Sequence, residues 1–554
     1  MAQAVRRALT RFLPHTASRP ADRPAPWWAS APVLLIMAPL LPGLYWALAP
    51  ALASTEVWVG LWQDSQWPQA LRATLVSSVL STLLATGVAL AMATLYYPGP
   101  QWLFLQRHLP LMLSVPHVAF AIGFFFLVAP SGWLARALAP LWQWSTPPEW
   151  VTVQDPYGIS LGVALGFKES FFLLWVLVAV LGEQAVSRPL AMARALGYSR
   201  LQAWQKVVWP QLLPRLAWPL VAVFAYGLSV VDMALILGPG TPPTLAVLVW
   251  RWLSDADPAY QARGSAAALV LLGLLVGGVL LVRGLVWTAR TFSPYPDGRR
   301  RASLAPPWQA LHIPLWGVGY AVVAVLLLWS LAEAWFFPAL LPQALSLQHW
   351  QQADWSAFGT TLWLGLTSAC LCLPAVLLWL EWGPQRLNAL LYAPLIVPAL
   401  PLVAGQYAAL LRAGLDGTAV ALVWSHMLWV LPYMVLTLVG PYRAFDPRIL
   451  TSARSLGYTP WRACVAVKWP LLLRPILTTL AVGFAVSVAQ YLPTLFAGGG
   501  RFATVTTEAV ALSAGGNRRV LAVQALLQIA LPMAAFGLAV ALARLHARQR
   551  QGLR

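Results

Sequence analysis

Ala191-Met-Ala-Arg-Ala-Leu-Gly197-Tyr-Ser-Arg200 and Thr451-Ser-Ala-Arg-Ser-Leu-Gly457-Tyr-Thr-Pro460 are two copies of one ten-residue pattern, 260 positions apart. Each runs on to a Trp-Pro pair, Trp209-Pro210 and Trp469-Pro470, with thirteen residues from glycine to proline in both. A pattern kept in register over that distance implies a duplicated chain, and what one copy does the other should do. Residues from about Arg188 to Leu196 are good helix formers, and Gly197 stands where a helix closes on a left-handed residue. Ser199 with Gln202 fits a capping box that opens a second helix; in the other copy Thr459 is the cap and Pro460 takes the favoured first helical position. The pattern predicts helix, tight turn, helix, with Pro210 and Pro470 ending or kinking the second where the next apolar segment begins.

Outside these loops the chain is apolar. Of 554 residues 59% are hydrophobic and only 10% charged, with a mean hydropathy of +0.68. Soluble chains carry about a quarter charged residues, so this is a membrane protein and a soluble enzyme is excluded. A spanning helix needs about 20 mostly apolar residues. Twelve such stretches occur, near 31–55, 69–96, 109–130, 158–182, 213–237 and 264–288, then 311–337, 358–382, 388–413, 417–441, 472–497 and 519–543. The first is too long and Pro-rich for a cleaved signal and reads as a retained anchor. Weaker echoes join the two sets: Ala73-Thr74-Leu75 with Thr360-Thr361-Leu362, and Val115-Pro116 with Val397-Pro398. The expected fold is therefore all-α and integral to the membrane, with about twelve helices in two homologous six-helix halves. An even number of spans leaves the halves in the same orientation, related by an axis along the membrane normal.

The organisation expected is a cytoplasmic tail over 1–30, a first half over 31–290, a linker over 291–310, a second half over 311–543 and a basic tail over 544–554. The +19 net charge is nearly all Arg. Arg6, Arg7, Arg11, Arg19 and Arg23 precede the first span, Arg290 and Arg299 to Arg301 separate the halves, and Arg544, Arg548, Arg550 and Arg554 follow the last. The positive-inside rule puts all three regions, and both termini, in the cytoplasm. The excess charge belongs to those loops, not to a nucleic-acid site. Cys370, Cys372 and Cys464 make no disulfide framework. The many Trp, including Trp28, Trp62, Trp67, Trp142 and Trp150, suit interface anchors.

With the loops and span plan in hand, the sequence resembles the transmembrane permease subunits of binding-protein-dependent ABC importers, whose loop signature is E-A-A, three residues, G, and a later L-P. Ala193, Leu196, Gly197 and Pro210 match in one copy, and Ala453, Leu456, Gly457 and Pro470 in the other; Ala191 and Thr451 stand where the leading Glu would be. The fused two-by-six layout is similar to that of iron(III) and thiamine permeases and of the YnjC-like group, with Phe167-Lys168-Glu169-Ser170-Phe171-Phe172 in support. The resemblance implies a type I importer fold in a bacterial inner membrane, two copies of a cytoplasmic ABC ATPase docked on the loops, a periplasmic binding protein that delivers a small solute, and ATP hydrolysed by the partner. No cofactor is expected in this chain. Its lysines, Lys168, Lys206 and Lys468, follow Phe167, Gln205 and Val467, and a phosphate loop needs Gly there.

Charged residues within spans are costly and so are candidates for the translocation path. Lys168 and Glu169 in the fourth span either hold the bundle together or meet substrate. Asp232 in the fifth, followed by Gly238-Pro239-Gly240, faces the path or satisfies a neighbouring helix; its counterpart near Gln490 and Tyr491 is uncharged. His426 reads as hydrogen-bonded to another helix. The seven His are scattered and form no metal motif. A self-contained secondary transporter also fits two parallel six-span repeats, although the most similar segments here are loops, not midplane acids.

Overall fold

Inside hydrocarbon every backbone group must find its partner within its own segment, so an apolar chain of this kind is forced into helices. The computed structural model describes residues 27–183, 186–292, 312–384, 391–395 and 397–551. Most of the 1–30 tail, nearly all of the 291–310 linker and the last three residues of the basic tail lie outside them. Among the described residues ten helices are long and apolar enough to cross a membrane, or eleven when the pair Pro460–Leu471 and Leu473–Val488, bent by 79°, counts as one. The remaining expected span, 388–413, contributes a helix of fifteen residues, Ala399–Ala413, with 385–390 and 396 outside the described set. The single strand pair among the described residues is a short ribbon of Ala332–Ala334 with Ala344–Leu345.

The duplication is visible in element boundaries. Ile159–Glu183 and Ala419–Arg443, Ser187–Ala195 and Pro447–Ser455, and Leu245–Leu253 and Val505–Ser513 each begin and end 260 residues apart. The Thr echoes hold an equivalent joint in both halves. Thr74 Oγ1 accepts from Leu245 N at 2.7 Å and Thr361 Oγ1 from Val505 N at 2.9 Å, each satisfying the first amide of a helix from a neighbouring one.

Four expected spans are interrupted. The 109–130 span breaks at Val115-Pro116, both extended, between Pro100–Ser114 and His117–Val128, because the proline ring disfavours helix at the residue before it. Val397-Pro398 stands directly before Ala399–Ala413 in the same way. The 213–237 span stops at Ser229, with Val230 extended, and resumes as the short helix Asp232–Leu237. The 472–497 span stops at Val488 and resumes as Leu492–Gly498. Gly238 ends the short helix Asp232–Leu237, so this segment has one break before Asp232 and another after Leu237. Among the tryptophans, Trp28, Trp62, Trp142 and Trp150 are exposed, whereas Trp67 is buried.

The halves are not side by side. Trp27–Met37 and Leu40–Leu48 pack on Trp355–Trp382 and Ala399–Ala413 of the second half, and His312–Leu331 packs on His117–Val128 of the first. Gly43 permits the first crossing, since a Cβ there would run into the Gly405 carbonyl oxygen. Trp424 Nε1 donates to Ile36 O at 3.1 Å across the same contact. The largest apolar core spans both halves, joining Val115, Val230 and Val231 to Leu400, Tyr491 and Leu492 around the four interruptions.

Candidate functional site

The two loops fold alike. In the first, Gly197 has φ +87°; its amide donates to Arg194 O at 2.9 Å and Tyr198 N donates to Ala193 O at 3.2 Å. In the second, Gly457 also has φ +87°, with Arg454 O at 3.0 Å and Ala453 O at 3.2 Å taking the equivalent bonds. That pair of bonds is the Schellman closure, which requires a left-handed residue. Ser199 and Gln202 then form the reciprocal capping box, and Thr459 accepts from Arg462 N. Ala193 and Ala453 are buried, while Ala191, Thr451, Leu196, Leu456 and both glycines are exposed. Leu196 and Leu456, 59% and 80% exposed, form apolar tips.

Each second helix widens by one residue before the span begins. Trp209 N bonds Trp204 O and Trp469 N bonds Cys464 O, a π-type turn repeated at the 260-residue offset. Such turns concentrate at functional positions, and nothing in the residue pattern announces them. Pro210 and Pro470 lie just after, in the first turn of the next helical segment, where a missing N–H costs nothing. In the first half the helix runs on through Pro210; in the second it bends at Leu472.

Both loops are tied to the same end of the equivalent long helix, by different chemistry. Arg200 Nε and Nη2 donate to Thr94 O at 2.5 Å and Tyr97 O at 2.6 Å, taking up free carbonyls at the end of Trp67–Tyr96. Lys468 donates to Glu381 Oε2 at 2.5 Å near the end of Trp355–Trp382, and Tyr442 OH donates to the same oxygen at 2.6 Å. Glu381 and Arg200 were not singled out from sequence; their signal is their position at the apolar border.

Between the halves, the charged candidates separate. Lys168, buried, donates to Met112 O at 3.1 Å, so it serves the bundle. Glu169 meets His117 Nε2 at 2.8 Å, and the His117 ring lies 4.8 Å from that of Tyr226. Asp232 begins the short helix after the break, accepts from Met233 N at 2.9 Å and has no ion-pair partner among the described residues. Adjacent in sequence, Lys168 and Glu169 are thus bonded to different partners, Met112 O and His117. His426 is buried between Ser487 Oγ at 2.8 Å and Thr494 Oγ1 at 2.9 Å, bonded to neighbouring helices as expected. Among the described residues no three His, Cys, Asp or Glu stand close enough together to hold a metal ion.

The chain is 42% identical, over 95% of its length and 98% of the relative's, to the inner membrane ABC transporter permease protein YnjC of Escherichia coli. It belongs to the ABC transporter permease family. The thiamine transport system permease proteins ThiP of Escherichia coli and Salmonella typhimurium are each 27% identical, over 79% and 80% of the permease and 82% and 83% of their own lengths. No family model matches the chain. The permease is thus a multi-pass inner-membrane protein of a transport family, and its near full-length coverage of YnjC includes both loops. Within it, His117 and Tyr226 are residues that the sequence reading did not bring together; His117 directly follows the repeated Val-Pro, which was the available cue.

Proposed function

We propose that this permease is the membrane-spanning subunit of an importer driven by a separate ATPase, with two copies of that ATPase docked on the paired loops and a periplasmic binding protein delivering a small solute at the opposite face. The observation that carries this reading is the pair of loops, with the same closure, caps, burial and widened turn, each presenting an exposed apolar tip. Two equivalent surfaces suit two copies of one partner. A helix pair closed by a Schellman turn and clamped to a span end is stiff, so displacement of the tip moves the span and does not dissipate in the loop. Arg-rich segments before, between and after the halves support a cytoplasmic location for the loops and both termini. Hydrolysis is assigned to the partner because no lysine follows glycine in a phosphate loop.

The test is purification of the chain from native membranes in mild detergent, with co-purified subunits counted by mass spectrometry. Two ATPase copies per permease are expected. A stable chain without ATPase, whose uptake stops when the proton gradient is collapsed, would replace this reading with the secondary transporter.

A further inference from the structure

The halves share a plan but pack one corner differently. Thr74 and Thr361 stand 287 residues apart in equivalent joints, and at that offset Met92 matches Trp379 and Leu95 matches Trp382. Pro314-Leu315-Trp316 repeats Pro26-Trp27-Trp28 at an offset of 288, so Trp28 and Trp316 stand at the start of the first span of each half. In the second half tryptophans fill the corner. The Trp28 ring lies 5.3 Å from that of Trp382, and Trp382 lies 5.7 Å from Trp461 of the second loop. The start of a first span is thereby stacked, through the end of Trp355–Trp382, onto a loop helix.

In the first half the corresponding corner is a cavity of 380 Å³, lined by Met92, Tyr96, Pro100, Gln101, Phe104 and Trp316. Trp316 turns onto Phe104, His108 and Phe171, at ring distances of 5.9, 6.2 and 5.7 Å. Met92, Tyr96 and Trp316 are buried and form the floor, whereas Pro100, Gln101 and Phe104 are exposed and form the rim. Met92 lies about one helical turn further into the bundle than Tyr96, and Phe104 about one turn further than Pro100, so the cavity runs inward along the spans. Its mouth is at the loop end. Arg200 of the first loop donates to Thr94 O and Tyr97 O beside it, and the Tyr97 ring meets Trp204 edge-on at 6.1 Å.

We propose that this cavity binds one phospholipid from the leaflet on the loop side, with an acyl chain between Met92, Phe104 and Trp316 and the glycerol and phosphate at the rim beside Pro100 and Gln101. Three observations choose the occupant. Apart from Gln101 and the Tyr96 hydroxyl the lining side chains are apolar, and water in such a space finds too few partners. The mouth stands where two spans end, at headgroup level, and the Gln101 amide there can donate to ester or phosphate oxygens. Phe104, 44% exposed, is flanked by Leu103 and Leu111, 55% and 37% exposed, so the rim continues into an apolar outer surface of the kind that faces lipid. Bound there, the chain supplies the contact that the larger Trp379 and Trp382 provide in the second half, joining Trp316 to the Tyr96-Tyr97 corner that holds the first loop.

The test needs neither ATPase nor transport, so its failure leaves the importer reading untouched. The full chain is reconstituted into vesicles of phosphatidylethanolamine and phosphatidylglycerol that carry a trace of phosphatidylglycerol with a diazirine midway along one acyl chain. After irradiation the labelled residues are mapped by mass spectrometry. Labelling at Met92, Phe104 and Trp316 should exceed that at Leu83 and Leu281, 67% and 64% exposed, which meet bulk lipid. Met92→Trp installs the residue that the second half holds, and it should cut labelling at Trp316 about tenfold while leaving Leu83 and Leu281 unchanged. Phe104→Trp narrows the rim without touching the buried floor and should act in the same direction. Labelling no stronger in the cavity than at Leu83 and Leu281, or undiminished labelling of Trp316 in both variants, would overturn the proposal.

Discussion

Lys468 and Glu381 join the second loop to the end of the Trp355–Trp382 helix through a 2.5 Å hydrogen-bonded ion pair. The Lys468 ammonium also lies 3.8 Å from the centre of the Tyr442 ring, and Trp469 Nε1 donates to the Tyr442 hydroxyl at 3.2 Å. Lys468 closes the widened turn, so the pair clamps the loop where its motion would enter the bundle. Both side chains are mostly buried, at 10% and 13% exposure. Removing one partner strands the other, at a cost of about 3 kcal/mol. Glu381→Gln and Lys468→Met should each lower the melting temperature and abolish ATP-coupled uptake. The double replacement Lys468→Met with Glu381→Leu should recover much of the stability, because neither charge is left alone, but not the uptake. Thermal unfolding beside a transport assay in proteoliposomes checks both; recovered uptake in the double variant would show the clamp to be dispensable.

The turn glycines test the loop shape separately. Gly457 has open space around it, so a side chain there meets no neighbour; what it meets is a φ of +87°. Left-handed backbone costs a β-branched residue about 1–2 kcal/mol per site, whereas Asn tolerates it. Gly197→Val with Gly457→Val should insert normally and lose ATP-coupled uptake, while the Asn pair retains it. Normal uptake in the Val pair would remove the turn from the mechanism.

Thr74 and Thr361 make a paired prediction within the bundle. Each hydroxyl accepts the first amide of a helix from another part of its half. Replacing either by Val leaves that amide unpaired in a buried place, a loss of about 1–3 kcal/mol, whereas Ser keeps the acceptor. Differential scanning fluorimetry of Thr74→Val, Thr361→Val and the Ser variants should show lower melting temperatures for Val and near-native ones for Ser. Equal melting temperatures for Val and Ser would mean that the hydroxyl does nothing.

The loops were legible because their determinants are local. Glycine at the turn, Ser199 with Gln202 three residues on, and Thr459 before Pro460 each act within one helical turn, and they fold as read. Span existence was legible for the same reason, since apolar length needs no partner to be recognised. The break at Val230 was not, because hydropathy runs straight through it, whereas the one at Val115 carries a local cue in Pro116 that apolar length alone passes over. The crossing of Leu40–Leu48 onto the other half depends on Gly43 meeting Gly405 far along the chain, and no window of sequence contains both. The contact of His117 with Glu169 and Tyr226 failed to show for the same reason: the three come from separate segments. The clamp at Lys468 hides in a different way, since its counterpart in the first half is Arg200 on two backbone carbonyls and shares no residue type with it.

Asp155 gives a prediction whose direction can be worked out from charge alone. It lies in the loop before Ile159–Glu183, outside the spans, and accepts from Ile159 N and Ser160 N, both at 2.8 Å, from Tyr157 N at 3.2 Å and from Ser160 Oγ at 2.6 Å. Burial pushes its carboxyl up, but these donors, led by the Ser160 hydroxyl, more than offset that and hold it below the usual carboxylate range. A group held low in the folded state stabilises the fold wherever it is ionised. That contribution is complete above the unfolded value, about pH 4 for Asp, and is lost as pH falls through the lower folded value. Asp155→Asn keeps an acceptor but not the charge, so it should lower the melting temperature at pH 7 by a few degrees, about 1 kcal/mol. The gap between wild type and variant should stay constant from pH 7 to about pH 5 and close only below about pH 4. Melting curves of the two proteins at matched pH isolate this carboxylate from the others. A gap that closed already near pH 6 would mean that a different group, titrating higher, holds the start of this helix.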